Sequence, residues 1–221
     1  CLVGSEMCIR DSSYIGSQNH REIAREAVRK SMVVLKNNNN ILPLPKSGKT
    51  IVVAGKGAND IGMQSGGWTI SWQGGMGKTT KGTTILDAIK SSVDPGTVVE
   101  YSIDGKGFTG DLAIVVVGEK PYAEMMGDKK DLRLAKEDLE VISRFTDVNI
   151  PVVVVLLSGR PMIVTDELDN WDGFVAAWLP GTEGAGVADV LFGDYNPTGK
   201  LSFSWPKNCL LYTSPSPRDS C

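Results

Sequence analysis

The stretch L-A-I-V-V-V-G-E-K-P-Y-A-E, Leu112 to Glu124, changes character half-way along. Six apolar, mostly β-branched residues run to Gly118; then come two glutamates separated by a lysine, a proline, a tyrosine and an alanine. An apolar run of this length without alternation is a strand buried on both faces, the mark of a parallel sheet covered by helices. The residues after it would leave the carboxyl end of that strand, where ligands meet open α/β sheets.

Working outward, similar runs recur. Thr50 to Gly55, Val98 to Ser102, Pro151 to Ser158, Gly173 to Leu179 and Lys200 to Trp205 read as further strands. Helical patterns cover Arg21 to Lys36, Thr83 to Ser92 (with Thr83 or Thr84 as N-cap), Lys136 to Val148 and Gly184 to Phe192. In the first helix Ile23, Ala27, Val28, Ser31, Val34 and Leu35 share a stripe, which puts Arg25, Glu26, Arg29 and Lys30 toward solvent. Asn37 to Asn40 stop it, and Pro43 and Pro45 hold an extended connector. The fold class is α/β: a six-stranded, mostly parallel sheet sandwiched between helices.

Composition sets the outer limits. The 221 residues have a net charge of −3, with acidic and basic residues interspersed, so no basic stripe points to nucleic acid. The longest apolar run, Ile150 to Leu157, is too short to span a bilayer. His20 is the single histidine, placed just before a helical run and read as structural; multi-histidine metal sites are ruled out. All four cysteines lie near the ends, at 1, 8, 209 and 221. Residues 1–12 and 209–221 lack strand or helix periodicity, and Cys8-Ile9-Arg10-Asp11-Ser12 is echoed by Pro217-Arg218-Asp219-Ser220. Both segments are expected to be non-native, of the kind that translated adapter sequence leaves, with the domain at 13–208.

Three loops at the expected ligand end stand out: Gly55 to Gly82, Gly118 to Arg133, and Leu179 to Gly184. The first is longer than packing alone requires. Within it, Gly66-Gly67-Trp68-Thr69-Ile70-Ser71-Trp72-Gln73-Gly74-Gly75-Met76-Gly77-Lys78-Thr79-Thr80 admits two readings. The second half has the look of a phosphate-cradling loop, but Trp72 stands where the pattern G-x-x-x-x-G-K-[ST] needs its first glycine. About twenty residues separate Lys78 from the preceding strand, and Gly82 interrupts the approach to the next helix. Such a loop must pass directly from strand to helix, so nucleotide binding is a remote alternative and Met76-Gly77-Lys78 is read as a turn.

The first half offers Trp68 and Trp72 among glycines. An indole face suits the C–H surface of a pyranose ring; the plainer reading buries each tryptophan under its own loop. Glu119 and Glu124 leave the strand end together, and glycosidic bonds are cut by paired carboxyl groups, one kept protonated as general acid. The plainer reading there is a solvated loop.

Taken together these segments resemble the second, α/β-sandwich domain of glycoside hydrolase family 3, in its exo-β-glucanase and β-glucosidase branch. The resemblance spans His20 to Lys207. It rests on H-R-E-I-A-R-E-A-V-R-K-S, I-L-P-L-P-K, G-G-W-T-I-S-W-Q-G, V-V-V-G-E-K-P-Y-A-E-M-M-G-D, S-G-R-P, A-A-W-L-P-G-T-E-G and D-V-L-F-G-D-Y-N-P-T-G-K-L, in that order. It implies that Glu124 is the acid/base, that Trp72 forms part of an aromatic clamp on the sugar beside the scissile bond, and that Trp68 lines the cleft entrance. It implies an orienting role for Glu119, although the residues alone do not separate the two glutamates. It also implies a β-glucan or β-glucoside substrate, no cofactor, and a secreted or periplasmic setting. The family nucleophile is an aspartate on a preceding (β/α)8 barrel of about 250 residues. Nothing before His20 has room for one, so the chain is expected to be an inactive fragment whose partner domain lies elsewhere. A non-catalytic carbohydrate-binding module is the main alternative.

Overall fold

The computed structural model describes residues 14–208. The two segments expected to be non-native lie outside these residues. The elements in chain order are α1 (Gln18–Ser31), β1 (Val33–Asn37), β2 (Thr50–Ala54), α2 (Ile61–Ser65), α3 (Ile85–Ser92), β3 (Val98–Ser102), β4 (Leu112–Gly118), α4 (Lys136–Thr146), β5 (Val152–Leu157), β6 (Gly173–Trp178) and α5 (Gly184–Leu191). They build one six-stranded sheet in the order β1-β6-β5-β4-β2-β3, parallel throughout except for β1, which runs antiparallel to β6.

The central strands β4 and β5 are buried at every position, and their period of two divides the core into two layers. Ile114, Val116, Val153 and Val155 face the side covered by α1, α3 and α5. Ala113, Val115, Val152 and Val154 face the side where Val141, Ile142 and Phe145 of α4 pack beside Trp171 and Phe174. Thr84 caps α3 by accepting the Asp87 N–H, which fixes where the chain re-enters a helix after the long loop.

Three expectations need correction. The first helix stops at Ser31, and Val33–Asn37 form strand β1. Met32 turns the backbone to an extended conformation, and the β-branched residues after it pair with β6, Val33 opposite Ala176. Lys200 to Trp205 is not a strand, because β1 already occupies the edge of β6. Trp205 instead packs across the α4 layer, its ring 5.6 Å from that of Phe174 and its indole N–H on the Met162 carbonyl. The sheet thus has six strands with one member exchanged.

The third correction concerns the inward face of α1. Ile23 is exposed and Val28 is the helix's one buried residue. Beside Val28, which packs into the core, the ion pairs to the body of the domain come from arginines: Arg25 forks onto the buried Asp189 of α5, Arg29 approaches the same carboxylate at 3.6 Å, and Arg21 pairs with the buried Glu183 at 3.0 Å. His20 lies inside this helix and is exposed.

Candidate functional site

The site grows from the point where β4 leaves the sheet. Gly118 sits at φ +144°, and a Cβ there would overlap the Leu157 carbonyl of the neighbouring strand, so only glycine can make this exit. Asp138 of α4 supports it from below, taking a hydrogen bond from the Gly118 backbone and the Lys56 ammonium at 2.8 Å. Burial raises the Asp138 carboxyl above its ordinary value, and Lys56 only partly offsets this.

The two glutamates beyond Gly118 have opposite surroundings. Glu119 is 6% exposed and its carboxylate is fully engaged. Arg160 forks onto both oxygens at 2.7 and 3.2 Å, the Tyr122 hydroxyl donates to Oε2 at 3.0 Å, and Lys129 stands at 3.6 Å. Arg160 also donates to the Gly127 carbonyl at 2.7 Å and lies over the Tyr122 ring. One buried ion pair thereby closes the whole turn from Glu119 to Gly127. Glu124 is exposed, opens a short 3-10 helix (Glu124–Gly127), and holds a left-handed backbone at φ +52°. No partner of its carboxylate is found among the described residues.

The glycine-tryptophan loop docks onto this turn. Gln73 grips Ala123 at both peptide groups: its Oε1 accepts the Ala123 N–H at 2.9 Å and its Nε2 donates to the Ala123 carbonyl at 3.2 Å. Gly67 lies so close to the Tyr122 carbonyl that any Cβ would overlap it. Trp72, the residue before Gln73, and Glu124, the residue after Ala123, are therefore carried on two loops stapled together. Trp68 and Trp72 are 69% and 49% exposed, so neither is packed beneath its loop. Their rings stand 6.4 Å apart at 56°, and the Trp68 N–H donates to the Trp72 carbonyl.

The third loop joins through Gln64 of α2. This fully buried amide donates to the carbonyls of Thr83 and Gly181 and accepts the Ile85 N–H, while its own backbone carbonyl takes the Gly181 N–H. A cleft lined by Met63, Gly66, Glu119, Tyr122, Ser158 and Leu179 lies where the three loops meet. The phosphate-loop geometry is absent from this arrangement. The Gly77 N–H, which a phosphate cradle would need free, is used by Asp60 Oδ1 at 2.7 Å, and Lys78 is a solvent-facing turn residue.

Residues 32–219 match the glycosyl hydrolase family 3 C-terminal domain. The chain belongs to glycoside hydrolase family 3. Its structure is similar to that of an exo-1,3/1,4-β-glucanase from a Pseudoalteromonas species, with a TM-score of 0.83 and 48% identity over 89% of this chain and 26% of that one. It is also similar to a β-glucosidase from Listeria innocua, with a TM-score of 0.75 and 27% identity over 87% and 28% of the two chains. Among curated relatives it is 33% identical to a β-xylosidase of Formosa agariphila, over 87% of this chain and 29% of that protein. The chain thus spans less than a third of the length of each of these family members.

Sequence reasoning singled out Glu119, Glu124, Trp68 and Trp72, and all four sit on the loops that the fold brings to one rim. It gave no role to Gln73, Gln64 or Arg160. Gln73 follows Trp72 directly, and Arg160 lies in the S-G-R-P segment, but the partners of each are far away in sequence.

Proposed function

We propose that the chain is the acid/base- and clamp-bearing portion of a retaining β-glucosidase or exo-β-glucanase that removes terminal β-D-glucosyl residues. Glu124 donates a proton to the glycosidic oxygen while an aspartate, on a barrel domain outside this chain, attacks the anomeric carbon. The same glutamate then takes a proton from the water that hydrolyses the glycosyl-enzyme. Trp72 offers its indole face to the leaving sugar, and Trp68 beside it lines the cleft entrance. Retaining hydrolysis needs two carboxyls about 5 Å apart, so with one of them the chain alone is inactive.

The observation that carries this reading is the Gln73–Ala123 clamp, which seats the tryptophan loop against the turn bearing Glu124. The surroundings of the two glutamates support the assignment. Glu119 is held as the partner of Arg160, whereas the exposed Glu124 can reach a substrate oxygen. The β-glucanase at 48% identity favours a glucoside over the xyloside named for the Formosa relative.

The test is Glu124→Gln in the full-length enzyme. It should lower kcat/KM on unactivated glucosides by roughly 10²- to 10⁴-fold and spare kcat/KM on aryl glucosides whose leaving group needs no proton, because kcat/KM reports the glycosylation step. Equal losses on both substrate types would remove Glu124 from the role. Tight glucan binding by this chain alone, unchanged by joining the barrel, would instead favour a binding module.

A further inference from the structure

We propose that Gln73 is a positioning residue for the acid: it holds Glu124 in its left-handed backbone conformation by gripping both peptide groups of Ala123. The inference rests on Glu124 being the acid/base and adds a residue that never touches substrate.

A glutamate at φ +52° is in a region that non-glycine residues enter at a cost, and the surrounding structure must impose it. Among the described residues no side chain hydrogen-bonds or ion-pairs with the Glu124 carboxylate, so the direction of this exposed side chain follows from its backbone. The turn is held at two places. At the far end, Arg160 fixes the Gly127 carbonyl. At the near end, Ala123 is extended, buried and immediately before the strained residue, and its N–H and carbonyl are both bonded to the Gln73 amide, fifty residues away. An amide is suited to this task, because one planar group supplies the acceptor and the donor that an extended residue presents. Trp72 is covalently next to Gln73, so the same contact keeps the clamp and the acid in register.

The experiment compares Gln73→Leu, Gln73→Glu and Glu124→Gln in the full-length enzyme. It measures kcat/KM on aryl β-glucosides from 2,4-dinitrophenyl, which leaves without a proton, to unsubstituted phenyl, which does not. Gln73→Leu should slow the phenyl glucoside by roughly tenfold to a hundredfold, the scale of a small misplacement of a catalytic group. The dinitrophenyl glucoside should stay within about threefold, since acid catalysis contributes little to its departure. Gln73→Glu keeps the acceptor for the Ala123 N–H but sets a carboxylate oxygen against the Ala123 carbonyl in place of the donor, so it too should slow the phenyl glucoside selectively. It also decides alone if the leucine variant does not fold.

Losses that are equal across the leaving-group series, or absent, while Glu124→Gln remains leaving-group dependent, would overturn the role of Gln73 and leave Glu124 standing. If Glu124→Gln itself showed no such dependence, the acid assignment would fall, and this inference with it.

Discussion

Leu112 to Val117 and Gly118 to Gly127 are consecutive pieces of one chain that are stabilised by different means. In the first, every side chain is buried and the backbone belongs to strand ladders shared with β2 and β5. Order comes from apolar burial, which is non-directional and tolerates many sequences of the right volume. In the second there is little apolar burial. Glu124, Met125 and Met126 are exposed, the backbone of Glu124 is strained, and shape depends on a few directed contacts from Arg160, Tyr122 and Gln73. A sheet end can therefore carry a precisely shaped rim that adds little to its own stability, because the strands beneath supply the rigidity.

This contrast can be attacked from either side. Phe145, 1% exposed in the α4 layer, should show the largest stability effect: Phe145→Ala should cost about 3–5 kcal/mol in urea unfolding of the chain. A cost below about 1 kcal/mol would mean that the layer is looser than its burial implies. Gly67→Ala strikes the rim instead. Its methyl would overlap the Tyr122 carbonyl, so the tryptophan loop must lift at a cost of about 1–3 kcal/mol, the range for overpacking. In the full-length enzyme its main readout should be raised KM for disaccharides, as Trp72 moves away from the turn. Unchanged kinetics would show that the two loops need not dock closely.

Asp138→Asn should be the smallest effect, visible only as a slope. Because burial raises the folded carboxyl, the native state binds a proton more readily than the unfolded chain between the ordinary carboxylate value and that raised one. The contribution of Asp138 to stability therefore falls as pH rises through that window and is flat above it. Urea titrations of wild type and variant across the window should show this slope disappear in the asparagine form. Parallel curves would place the charge of Asp138 in a well-solvated setting.

The same contrast explains what could be read beforehand. β2, β4, β5 and β6 were legible because burial on both faces leaves an uninterrupted apolar run. β1 was not, since Val33, Val34 and Leu35 continue the helical period of α1 and only the antiparallel edge of β6 makes them a strand. Lys200 to Trp205 has strand-like spacing but no free edge to join. The inward arginines of α1 read as solvent-facing, because their partners Asp189 and Glu183 lie more than 150 residues away. At the rim, Trp68, Trp72, Glu119 and Glu124 were readable as candidates from chemistry and resemblance. Gln73 was not, because a loop glutamine shows nothing of its partner until the fold brings Ala123 to it.

The central claim, that Glu124 is the proton donor and acceptor of a retaining site, is most directly tested by azide added to the full-length Glu124→Ala enzyme acting on 2,4-dinitrophenyl β-glucoside. On this account the barrel aspartate can still form the glycosyl-enzyme, because this leaving group departs without a proton. Azide can then attack the anomeric carbon and displace the aspartate without general base help, whereas water cannot do so efficiently. The account predicts that azide restores turnover and that the product is the β-glucosyl azide. Turnover indifferent to azide, with glucose as the product, would contradict it.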